Sequence, residues 1–160
     1  MRFLAWLTAA VAVMATWAPV AHVLELPNKV RLDGASWLMV QQHLYNGWGL
    51  FVGAPTELGG LLLSGFLAIR TWKSGTAAGR YSAIAAAMYA AMLACFFLFN
   101  DPVNRALNGW TTDSLPADWT GYRFRWELGH ALAALFAICA LVAVALSCSA
   151  IERRSVDSNL

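Results

Sequence analysis

Hydrophobic positions in this chain fall into long continuous runs, not the short periodic stripes of a soluble fold. The first extends from Phe3 to about Val23, behind a single Arg2. At ~1.5 Å of rise per residue, about 20 apolar residues cross the ~30 Å hydrocarbon core of a bilayer, so this run predicts a membrane-spanning helix. A cleaved signal peptide is its rival, but residues 16–18 offer no clean Ala-x-Ala, and the run is read as a retained span. Pro27 removes a backbone donor and restricts the residue before it, which predicts a helix end by about Leu26. Between Asp33 and Asn46 a shorter helix is expected. Asp33 or Ser36 would cap it, and Trp37, Val40 and Leu44 would form its apolar stripe. Gln41, Gln42, His43 and Asn46 make it too polar to span, so an interfacial position is expected.

Three further runs, at about 48–70, 81–99 and 126–148, complete a set of four spans. Pro55 predicts a kink in the second. The third ends at Asn100-Asp101-Pro102, where Asp101 as N-cap and Pro102 at the first helical position predict a new short helix ending near Asn108-Gly109. A polar connection, Trp110 to Asp118, leads to the fourth span, and residues 151–160 form a polar tail. The expected architecture is all-α: one domain over residues 1–150, an integral membrane four-helix bundle with a short interfacial helix between spans one and two.

Composition sharpens this picture. The chain is 59% hydrophobic and 12% charged, against roughly 25% charged in soluble domains, and its mean hydropathy is +0.55. A lipid bilayer is therefore the expected partner. A net charge of +2 is too small and scattered to point to nucleic acid. Cys95, Cys139 and Cys148 lie in apolar runs with no Cys-x-x-Cys, which argues against a disulfide framework or a thiol relay. Arg2, Arg70, Lys73, Arg80, Arg153 and Arg154 are crowded into short segments on one side, against five cations spread over two long connections on the other. That density favours both termini inside, in a bacterial inner membrane.

The candidate chemistry collects at the opposite end. Glu57, nine residues past Trp48 and so ~14 Å along its helix, is the most deeply placed charge; a carboxylate there normally faces the bundle interior. Glu127 and His130 share a helix face three residues apart, as His22 and Glu25 do in the reverse order. Glu57, Glu127, His130, His22 and Glu25 together offer oxygen and imidazole ligands of the kind that bind a transition metal. A plainer alternative pairs Arg123 with Glu127 at four residues' spacing and leaves His130 hydrogen-bonded in a packed interface. Arg123 shares the inward stripe with Glu127 and His130, whereas Arg125 diverges from it, and Asn104 caps the short helix or donates its amide to a ligand. Trp48, Trp110, Trp119, Tyr122 and Trp126 suit an interfacial aromatic belt.

Two stretches carry a resemblance. One is His22-Val23-Leu24-Glu25-Leu26-Pro27-Asn28-Lys29 with Val40-Gln41-Gln42-His43-Leu44-Tyr45; the other is Asn100-Asp101-Pro102-Val103-Asn104 followed by Trp119, Arg123, Arg125-Trp126-Glu127 and His130. Together they resemble the anthrone-oxygenase-like family of small four-helix membrane proteins, although the arginine that members often carry shortly after the histidine is missing from residues 131–134. The resemblance implies a membrane oxidoreductase that oxidises a hydrophobic, aromatic or quinone-like small molecule with molecular oxygen. In that expectation Glu57 or His130 removes a proton, and Arg123 and Asn104 stabilise the oxyanion. No cofactor is needed, or a transition metal assists. The alternative is a non-catalytic membrane subunit, or a protein that binds lipid or metal without turnover, either of them able to oligomerise.

Overall fold

The computed structural model describes residues 1–74 and 76–157, with side chains through Arg154; the last three residues of the expected tail lie outside the described residues. It consists of helices α1 (Arg2–Lys29), α2 (Gly34–Met39), α3 (Ala54–Thr71), α4 (Ala78–Cys95), α5 (Asp101–Leu107) and α6 (Trp119–Asp157). No strand occurs among the described residues. Three π-helical turns, Val40–Leu44, Gly49–Gly53 and Phe96–Asn100, extend α2, lead into α3 and join α4 to α5. Four segments are long and apolar enough to cross a membrane: Arg2–Lys29, Gly49–Thr71, Ala78–Leu107 and Trp119–Arg154.

The centre of the bundle is built from small side chains. Ala12 and Ala15 of α1, Ala85 of α4 and Ala137, Ala140 and Ala143 of α6 are buried together around Tyr89 and Met92. Side chains this small let helix backbones approach closely. Gly60 of α3 extends the same logic, since a Cβ there would lie 2.5 Å from the Tyr89 ring. At one end Ala5, Leu67, Ala78, Ala150 and Ile151 bring together the start of α1, the end of α3, the start of α4 and the end of α6. At the other end Trp37, Leu38, Val103, Leu107 and Trp126 form an aromatic-rich cap over α6. Large apolar side chains such as Phe3, Leu62, Ile69 and Phe97 point outward.

Four local expectations change. First, α1 does not stop at Leu26 but continues through Pro27 to Lys29. A proline inside a helix costs about 3 kcal/mol, so the extra turn needs an anchor elsewhere, and Lys29 supplies it. Second, the short helix expected after Asn100 is present as α5, with Pro102 in its first turn, but the third span runs on into it. The Phe96–Asn100 turn carries the helical path on to Leu107, with Asn100 buried and donating its amide to the Trp126 carbonyl at 2.9 Å. Third, Asp101 is not an N-cap but the first residue of α5, and its carboxylate pairs with Arg105. Fourth, Pro55 sits in the first turn of α3 directly after a π-helical turn, which is where the expected irregularity resides. Asp33, not Ser36, caps α2: its Oδ1 accepts from the Ser36 amide at 2.8 Å, which holds the Asp33 carboxyl below its ordinary range.

Close approach at Gly129 gives a stability test. A Cβ there would meet the Asn100 side-chain oxygen and the Phe99 Cβ. Gly129→Ala is expected to cost about 1–3 kcal/mol through overpacking, whereas Gly65→Ala, with nothing within 4 Å of the new methyl, is expected to leave stability unchanged or raised. Unfolding of both variants in detergent, followed by circular dichroism, checks the contrast.

Candidate functional site

The polar centre lies where the end of α1 meets the start of α6, and Lys29 is its hub. The Lys29 ammonium donates to Glu127 Oε2 at 2.9 Å, lies 3.5 Å from His22 Nδ1 and is 3.9 Å from Glu25 Oε2. It also sits 5.0 Å from the centre of the Trp126 ring and 5.6 Å from that of Tyr45. Both partners of the ion pair are buried, with side chains only 5% and 8% exposed. Burying either charge alone would cost several kcal/mol, and the pair persists because each meets the other at hydrogen-bond distance, with aromatic faces around the cation. One oxygen of Glu127, Oε1, is buried with no partner.

Helical spacing explains how α1 assembles its half of the site. His22, Glu25 and Lys29 lie at positions i, i+3 and i+7, on one face. Glu25 Oε2 is 3.6 Å from His22 Nδ1 and accepts a 2.5 Å hydrogen bond from the Tyr45 hydroxyl. Tyr45 ends the π-helical turn after α2. Burial, together with the neighbouring Glu25 carboxylate, raises the Tyr45 phenol far above its ordinary range, so it remains a donor at any pH the fold would meet.

His22 and His130 form the second part of the site. Their rings lie 4.2 Å apart, and both touch Trp126, at 4.9 and 4.1 Å. Tyr45 stacks on Trp126 at 5.7 Å, and Trp48 continues the aromatic wall to Trp17, on which it stacks at 5.5 Å. His22 is buried, whereas His130 is partly exposed and its ring nitrogens make no hydrogen bond among the described residues. The site thus places a fixed cation and an imidazole without a hydrogen bond against the same two rings, Trp126 and His22.

No family model, curated protein or solved structure matches the chain. The reading of the site therefore rests on its geometry.

The expected residues separate into two groups. His22, Glu25, Glu127 and His130 converge as a cluster. Arg123, Asn104 and Glu57 do not join it. Arg123 does not pair with Glu127; it donates to the carbonyls of Leu32 at 3.0 Å and Lys29 at 3.5 Å, and its guanidinium lies 4.6 Å from the Trp119 ring. It therefore clamps the chain just after α1. Asn104 spends its side-chain oxygen on the Trp126 indole N–H at 2.9 Å, which fixes the ring that both histidines touch. Arg125 reaches the carbonyl of Leu98, as its divergence from the inward stripe predicts. Glu57 lies on α3, partly exposed, with no hydrogen bond or ion pair among the described residues. Its carboxylate does not meet the Arg123–Glu127–His130 stripe.

The five residues considered as metal ligands are not arranged as a coordination shell. Among the described residues no group of three or more His, Cys, Asp or Glu side chains is placed to hold a metal ion. The Lys29 ammonium stands between His22, Glu25 and Glu127, where such an ion would have to sit. Lys29 and Tyr45 are the members that sequence reasoning missed. The signal was present, since Lys29 is four residues from Glu25 and seven from His22, but Pro27 was taken to end the helix before that face could form.

Removing one partner of the ion pair gives the sharpest stability prediction. Lys29→Ala leaves Glu127 buried without its cation and is expected to cost about 3–5 kcal/mol. Replacing both, as Lys29→Met with Glu127→Leu, is expected to recover most of that loss. Denaturant titration of the three proteins in the same detergent measures both effects.

Proposed function

We propose that the chain is a membrane-embedded oxidoreductase that oxidises a hydrophobic aromatic carbon acid with molecular oxygen, without a resident cofactor. The observation that carries this reading is His130: an imidazole with no hydrogen bond among the described residues, 4.2 Å from the His22 ring and 4.1 Å from the Trp126 ring that also lies 5.0 Å from the buried Lys29 ammonium. Abstraction of a proton from an activated C–H needs a free base and a cation to stabilise the enolate oxygen, and both are supplied here without Glu57, Arg123 or Asn104.

The reaction balances as follows. A methylene flanked by aromatic rings and activated by a carbonyl gives one proton to His130, and the carbanion's electron pair forms a C–O bond with dioxygen. Protonation yields a hydroperoxide. Loss of the second C–H proton with cleavage of the O–O bond leaves a quinone carbonyl and releases water. Lys29 would hold the enolate oxygen during the first step, with Glu127 keeping the ammonium in place. Tyr45, half-buried and backed by Trp126, would stack against the substrate's rings. The resemblance to the anthrone-oxygenase-like family supports the choice of an anthrone as the substrate class.

The four long apolar helices and the outward-facing large side chains support insertion into a bilayer. The crowding of cations at one end supports both termini inside, in a bacterial inner membrane. One observation favours a non-catalytic role instead. Lys29 and Glu127 are almost fully enclosed, as they would be in a purely structural lock or a static binding site.

Oxygen consumption by the purified chain with an anthrone substrate separates the two. The enzyme reading predicts uptake that falls about a hundredfold or more in His130→Ala, with helicity retained. A protein that binds anthrone but consumes no oxygen would establish the non-catalytic role. Insertion is checked separately: the chain is expected to stay in membranes through alkaline carbonate extraction, and a reporter fused after Leu160 is expected to be cytoplasmic.

A further inference from the structure

The end of the bundle remote from the histidines carries a second site. There Arg2, Arg70, Lys73, Arg80, Arg153 and Arg154 are opposed by only two acids, Glu152 and Asp157. The packing of Ala5, Leu67, Ala78, Ala150 and Ile151 shows that the helix ends bearing these charges converge. At this end a groove of about 660 Å³ is lined by Ala68, Ile69, Arg70, Trp72 and Lys73.

We propose that this groove binds the headgroup phosphate of an anionic phospholipid, a reading that rests on membrane insertion but not on the oxidase chemistry. Arg70 and Lys73 make no hydrogen bond or ion pair among the described residues, so their charges are open to a ligand. The Arg70 guanidinium lies 5.9 Å from the Phe66 ring, which holds its stem along the apolar side of α3. Trp72 and Ile69 are 60% and 76% exposed, an aromatic at headgroup level above an aliphatic side chain at acyl level. Charge selects the occupant. A neutral zwitterionic headgroup leaves the local excess of cations unbalanced, whereas an anionic one neutralises it.

The site is tested on the full chain in non-ionic detergent by native mass spectrometry and thermal unfolding. Short-chain phosphatidylglycerol, phosphatidylcholine and inorganic phosphate serve as the probes. Phosphatidylglycerol is expected to bind saturably and raise the unfolding temperature. Affinity is expected to fall about tenfold or more in Arg70→Gln/Lys73→Gln, in keeping with the loss of two cationic contacts, and to persist in Arg153→Gln/Arg154→Gln. Equal binding of phosphatidylcholine would overturn the proposal, as would full affinity in the Arg70/Lys73 variant. Inorganic phosphate binding as tightly as the lipid would replace the lipid with a soluble anion. Because the readout is binding in detergent, a failure here leaves the oxygen-consumption and carbonate-extraction outcomes standing, and their failure leaves this one readable.

Discussion

Lys29 and Glu127 bury a positive and a negative side chain together at one end of a bundle whose core is mostly apolar. Neither is tolerable there alone, and the 2.9 Å contact between them fixes the end of α1 against the start of α6. Much else at this end depends on that contact. It draws α1 through Pro27 for another turn, which places His22, Glu25 and Lys29 on one face. It sets the height at which His22 meets His130. It also presents the carbonyls of Lys29 and Leu32 to Arg123, so that the connection to α2 is clamped from α6.

The same contact explains the division of labour among the aromatic residues. Trp126 is the common wall of the site, touched by His22, His130, Tyr45 and the Lys29 ammonium. Its indole N–H is held by Asn104 and its backbone carbonyl by Asn100, so two asparagines at the α4–α5 junction support one ring. π-Helical turns tend to occur where function requires an irregular helix, and all three here lie toward this end of the bundle. The turn at Phe96–Asn100 brings Asn100 inward; the turn at Val40–Leu44 delivers Tyr45 to Glu25. At the opposite end the polar contacts between helices include those of Ser147 with Ser82 and the Ala78 carbonyl and of Cys148 with the Ala5 carbonyl, and Arg70 and Lys73 are exposed.

Much of this was legible in the sequence, because the strongest signals were the least subtle. Continuous apolar runs of membrane-spanning length identify four helices whatever the details of their ends, and Asp33 declares itself as a cap through ordinary side-chain chemistry. His22, Glu25, Glu127 and His130 could be placed together because antiparallel helices bring their positions to one level. The errors share a physical origin. Pro27 was given its local meaning as a helix terminator, but tertiary contacts overrode it through Lys29, and the buried Asn100 carries the third span past the end expected there. Once α1 was cut short, Lys29 became a loop cation, and Glu127 was left to pair with Arg123, one helical turn before it. Glu57 was assigned to the site by depth alone, and depth does not specify which neighbour a side chain meets.

The central claim, that Lys29 and Glu127 form a direct buried ion pair, can be measured as a distance. The chain has only two lysines, Lys29 and Lys73, so nitrogen-15 labelling of lysine side chains gives two resolvable ammonium signals in a lipid-reconstituted sample. Solid-state NMR dephasing of those signals by carbon-13 in glutamate carboxyl groups reports which ammonium lies beside a carboxylate. One signal is expected to dephase strongly, as the 2.9 Å N···O contact requires, and to fall in Glu127→Gln to the weaker dephasing that Glu25, 3.9 Å away, supplies. Two undephased ammonium signals, or strong dephasing that survives Glu127→Gln unchanged, would contradict the account.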